Sequence, residues 1–169
     1  NAEDADIHFK SSDNVLFFIH RENLKCSAAA FPPVEFKTIK DEIVHLIETS
    51  EVLELLFAFL YPKPLPDVKG LPFKTLASLA EAAEKYQVFS AMMICSMRMT
   101  VVVNDHPVDV LRYAAIHHYK ELLDIAAPLV ITRPLSEALD RLPPNTIPAW
   151  VNTLILESLG CYLNTCFTG

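Results

Sequence analysis

Two groups of residues in this 169-residue chain have types and spacings that chemistry could use. His20 lies six positions ahead of Cys26, and an imidazole beside a thiol lowers its pKa and makes a thiolate nucleophile. His117 and His118, with Asp105, His106 and Asp109 just upstream, carry metal-ligating and acid–base groups. Neither group amounts to a working site. No glycines for an oxyanion hole and no third orienting residue accompany His20 and Cys26 in the sequence. Neighbouring histidines on a helix point about 100° apart, which makes sharing one ion awkward. The residues therefore favour a protein without catalytic groups, metal or cofactor, with His20 a buried histidine satisfied by hydrogen bonds. A hydrolase using His20 or His117 is the alternative.

Composition narrows the field further. The net charge is −7 and the pI near 5.3, and nucleic acid attracts basic stripes instead. Just over half the residues, 51%, are hydrophobic and the mean hydropathy is +0.26. Yet no run reaches the roughly 18 uninterrupted apolar residues of a membrane helix. The apolar excess is expected to be buried inside the fold or against a protein partner. Cys26, Cys95, Cys161 and Cys166 show no paired metal spacing and sit in apolar settings. Reduced core thiols in the cytosol or nucleus are the expectation. The opening NAEDADIHFK is acidic, so no secretory signal is expected there.

The elements that must position these residues follow from periodicity. Asp6 to Lys10 alternates, with Ile7 and Phe9 on one side and His8 and Lys10 on the other, as a half-buried strand does. Ser11 to Asn14 turns it into a second strand over 15–19, an apolar run that reads as buried on both faces. His20 then stands at a hinge into a short Ala-rich helix over 21–31 that ends before Pro32-Pro33. Residues 42–48 give a third strand. Ser50 is placed to cap a helix running to Tyr61, with Val52, Leu55, Leu56, Phe59 and Leu60 as its apolar stripe. Pro72 opens the next helix, striped by Leu76, Leu79, Ala80 and Ala83 and ending near Tyr86. Residues 89–103 form another, in which Met92, Met93 and Met99 are packing residues.

From Asn104 onward only helices are expected. One starts at Pro107 with Val108, Leu111, Ala115 and His118 along one face. A short one over 120–127 is broken by Pro128. Two more follow, around Leu135 to Leu142 and from Ile147 to Leu159. The fold class is α+β: a small three-stranded sheet with a helical cluster, then an all-helical extension. The expected domains are 1–103 and 104–169.

The ordered segments ADIHFKSSD, FFIHRENLKCSAAAF, EVLELLFAFLYP and LASLAEAAEKYQV resemble those of a BTB/POZ domain, most closely the single-domain fungal type, across roughly residues 4–100. The resemblance implies a protein–protein interaction module that self-associates or binds a protein partner. It also implies, as alternatives, recruitment of transcriptional corepressors or service as a substrate adaptor of a cullin-type ubiquitin ligase. The family's charged pocket near its dimer interface matches Asp6 and Arg21, and its signature histidine matches His20. By the same resemblance, Ile7 and Phe9 on the first strand and Leu53 and Phe57 on the helix after Ser50 are interface candidates. The family's swapped dimer uses a helix and strand ahead of the first strand, and five residues before Asp6 make that exchange an unfavoured expectation. No cullin-binding motif is evident between Phe31 and Glu42. A homo-oligomer or a protein partner is expected, with no nucleic acid and no membrane.

Overall fold

The computed structural model describes residues 5–31 and 43–131, together with Arg133, Ser136 and Arg141. It is α+β: a three-stranded mixed sheet followed mainly by helices. The chain forms two compact units, Asn1–Arg98 and Met99–Gly169.

In the first unit the sheet is built on β1 (Ile7–Lys10), with β2 (Leu16–Ile19) antiparallel on one side and β3 (Ile43–His45) parallel on the other. The pleat of β1 sends Ile7 and Phe9 into the core and leaves His8 and Lys10 on the opposite face. Register carries this division across the sheet. Ile19 and Phe17 stand opposite Ile7 and Phe9, while Phe18 and Leu16 stand opposite His8 and Lys10. The connecting turn is held by Ser11, which is buried; its hydroxyl accepts the Val15 N–H at 2.9 Å. Asn14 supplies the left-handed residue at φ 66°, a conformation that asparagine tolerates better than most side chains.

Two strand expectations change here. The 15–19 run is not buried on both faces: Leu16 and Phe18 are exposed, and only Ile19 is fully buried. An apolar run specifies a strand but not its place in a sheet. At the sheet's edge, beside a partner that shows a histidine and a lysine on one face, that face cannot be dry. The third strand also ends at His45, short of 48: Leu46 still donates its N–H to the Lys10 carbonyl at 2.8 Å, and the chain then bends at Ile47 and Glu48.

Helix α1 (Arg21–Ser27) stops earlier than Phe31. Ala28 turns extended and bridges to Val88, and Ala29 and Ala30 donate to the carbonyls of Gln87 and Tyr86. Ala28 still donates to the Leu24 carbonyl, and partners at this joint replace the helical bonds that Ala29 and Ala30 would otherwise make. The joint itself is the left-handed Gln87, φ 52°, closing α3 (Phe73–Tyr86) ahead of α4 (Phe89–Val102). The division between the two compact units falls inside α4, not at its end.

Helix α2 (Ser50–Ala58) supplies the centre of the core. Its inward face is Val52, Leu53, Leu56 and Phe57, continued by Phe59 and Leu60, whereas Leu55 is only half-buried. Phe57 meets Phe9, Phe17 and Phe31 at ring separations of 5.4, 5.3 and 6.0 Å, and Phe31 stacks on Tyr86 at 4.4 Å. Burying a ring of this kind contributes about 2–3 kcal/mol. The four interface candidates, Ile7, Phe9, Leu53 and Phe57, thus belong to the core, the last two 0% and 4% exposed. The resemblance placed them at an interface, whereas the packing turns Leu53 and Phe57 inward beside the Val52 and Leu56 of the expected stripe. The methionine expectation splits: Met99 is buried, Met92 half-buried, and Met93 stands exposed.

In the second unit, α5 (Pro107–His117) packs on α6 (Lys120–Ile131), with Tyr113 stacked on Tyr119 at 5.5 Å. Val108 and Leu111 are buried as expected, but His118 is the exposed left-handed cap, φ 62°, where the chain reverses. Helix α6 also runs through Pro128 instead of breaking there. Both Pro128 and Asp124 are exposed, so the carbonyl four residues back that loses its partner is within reach of water. The helices expected around 135–142 and 147–159, with Cys161 and Cys166, lie outside the described residues.

Candidate functional site

His20 follows β2 with extended backbone, φ −82° and ψ 126°, and its carbonyl accepts the N–H groups of Asn23 and Leu24, so it is the residue from which α1 starts. Its imidazole does not cap the helix. Nδ1 lies 3.0 Å from the Tyr61 hydroxyl, and the two rings meet edge to face at 5.8 Å. The first amide of α1 is held from elsewhere: Arg21 N–H donates to Asp6 Oδ1 at 2.7 Å, and its Nε donates to Oδ2 at 3.2 Å. Partial burial pushes the Asp6 carboxyl up, but the Arg21 hydrogen bonds outweigh it and hold the group below the ordinary aspartate range. Asp6, His20 and Arg21 thus meet at one joint, where a single carboxylate pins strand to helix.

Beside this joint lies a hollow of about 250 Å³, lined by Phe17, Glu54, Phe57, Ala58, Tyr61, Lys63 and Pro64. Phe17 and Phe57 meet edge to face beneath it, and the Lys63 ammonium stands 5.8 Å from the centre of the Tyr61 ring. A cavity of this size accepts one apolar side chain, with a carboxylate and an ammonium at its rim. Sequence reasoning missed it. The available signal was Tyr61-Pro62-Lys63-Pro64, where prolines carry the chain away from α2 and leave the helix end uncovered.

Two polar ties hold the loops around the sheet, and both were missed as well. Asp13, in the turn between β1 and β2, accepts the Ser50 N–H at 2.8 Å and also its hydroxyl. Ser50 therefore is not the cap of α2 but its first residue, capped by Asp13. The hydroxyls of Ser11 and then Ser50 bring the Asp13 carboxyl down to about 2. Glu48 accepts Lys85 Nζ and the Tyr86 hydroxyl, each at 2.7 Å. Burial pushes Glu48 up, but these two donors outweigh it and the carboxyl sits below its usual range. Burial first, and the Glu48 carboxylate second, push the Tyr86 phenol well up.

The sequence-level chemistry does not assemble. Cys26 is exposed on α1, contrary to the core-thiol expectation, and six positions beyond His20 it is turned about 120° around the helix axis. Cys95 is buried, and burial pushes its thiol up to about 12, with Glu84 adding to the shift. His117 packs against Tyr113 at 4.9 Å, and Asp109 pairs with Arg141 at 2.9 Å. Among the described residues no three His, Cys, Asp or Glu side chains are grouped to hold a metal ion. Also among the described residues, no helix is long and apolar enough to cross a membrane. Comparison with known proteins finds no matching family model and no matching curated protein.

Proposed function

We propose that this chain is a protein–protein interaction module of the BTB/POZ type, working by shape-complementary docking without chemistry of its own. The observation that carries the reading is the apolar hollow beside the Asp6–His20–Arg21 joint. Its aromatic floor sets the half-buried Phe17 against Phe57 of the core, so the hollow stands formed before a partner arrives, and a preformed pocket is where an anchoring side chain contributes most. The strand, His-Arg joint and helix order supports the family reading. A buried, poorly ionised Cys95 suits a reducing compartment, cytosol or nucleus.

Light scattering over a micromolar concentration series tests the self-associating form of this function. The expected result is a molar mass that rises above 19.0 kDa and is returned to it by Ala58→Trp, which fills the hollow. A wild-type mass fixed at 19.0 kDa removes self-association. Co-precipitation with a purified cullin scaffold, abolished by the same substitution, would identify the adaptor form of the same docking function.

A further inference from the structure

The sheet has a second face, distinct from the one that borders the hollow. Register sets Phe18, His8 and Ile43 in one row across the three strands and Leu16, Lys10 and His45 in the next. Phe18, Leu16 and Ile43 are 42%, 44% and 41% exposed, and Ile47, which continues the alternation beyond β3, is 78% exposed. His8 lies edge-on to Phe18 with ring centres 4.9 Å apart. Among the described residues, neither Lys10 nor His45 has a carboxylate partner, and the two rows contain no acidic side chain. A protein of net charge −7, histidine counted as neutral, thus shows two rows whose ionisable groups are Lys10 and two histidines and whose other groups are apolar, with Asp6, tied to Arg21, at the His8 end.

We propose that this face docks an acidic, apolar segment of a protein partner. Leucine- or phenylalanine-like side chains rest on Phe18, Leu16 and Ile43, and carboxylates stand over His8, Lys10 and His45. Charge complementarity selects the occupant. Exposed charges farther away than a Debye length, about 8 Å at physiological ionic strength, are largely screened. A short segment therefore meets these rows and, at their margin, an Asp6 already paired with Arg21, more than the acidic remainder of the molecule. An anionic bilayer or a nucleic acid extends past the face and meets the acidic remainder, which repels it. Apolar neighbours also lower the local dielectric once the segment lies down, which strengthens the ion pair at Lys10 and the hydrogen bonds to the two imidazoles.

Fluorescence anisotropy on the whole chain tests this with a short synthetic peptide alternating aspartate and leucine, and with its lysine–leucine counterpart. The acidic peptide is expected to bind and the basic one not, with affinity falling as salt is added. Lys10→Glu combined with His45→Glu is expected to weaken binding by about tenfold or more. Phe18→Ser, a milder change on the same face, should weaken it as well, while Ala58→Trp in the hollow leaves it unchanged. Urea unfolding of each variant checks that the fold persists. Equal affinity in wild type and the charge-reversed variant overturns the proposal. So does binding only to phosphatidylserine vesicles, or a Phe18-dependent doubling of molar mass without peptide binding.

Discussion

Asp6 and Asp13 do the same job at two helix starts. Neither α1 nor α2 has a cap from its own N-terminal residue, and in each case a carboxylate flanking β1 takes the first amide. Anionic groups are favourable at helix N-termini, and here they also fix where each helix meets the sheet. The Asp13 carboxyl is lowered from 3.8 to about 2, so its contribution is complete above the unfolded value and is lost as pH falls through the folded one. Asp13→Ala should lower the urea midpoint at neutral pH and speed amide exchange at Ser50, with the difference from wild type closing as pH approaches 2. Glu48 follows the same sign from its reference of 4.5. Glu48→Gln should cost about 1 kcal/mol at neutral pH, after allowing for the exposed Lys85 partner. That cost should shrink once the wild-type carboxyl is protonated; a pH-independent difference in urea unfolding would mean the clamp is not ionic.

Among the elements, β2 shows most directly how tertiary placement divides one apolar run. Phe17 faces Phe57 and the core, and Phe18, its neighbour, faces His8 and solvent. Phe17→Ala should cost about 2 kcal/mol, since the ring is half-buried, and Phe18→Ala about 0.5 kcal/mol. Equal losses in urea unfolding would contradict the register. Leu56 is fully buried at the centre of α2, and Leu56→Ala should cost about 3 kcal/mol or more. Retention of the wild-type midpoint would remove α2 from the core.

On the scale of the whole molecule, charge and apolar surface pull against each other. Exposed Phe89, Met93 and Met97 on α4 add to the apolar groups of the outer sheet face, while seven units of net negative charge oppose association. Light scattering should therefore show apparent mass rising as pH is lowered toward 5.3, where that repulsion vanishes. An unchanged mass across that range would show that charge does not govern its association.

The order and type of nearly every described element are legible in the residues alone, because pleat alternation, helical stripes and proline positions are local properties. The sequence also singled out Asp6, His20 and Arg21, which do meet at one joint. Which face of each element is wet follows only from packing. Leu53 and Phe57 carry the same apolar signal whether they meet a partner or the core, and only the packing of Phe57 against Phe9, Phe17 and Phe31 separates the two. The capping role of Asp13, the Glu48 clamp and the hollow at Tyr61 join residues far apart in the chain. Periodicity reports how a segment faces its own surroundings, not what those surroundings are, so these contacts exist only once the chain is folded.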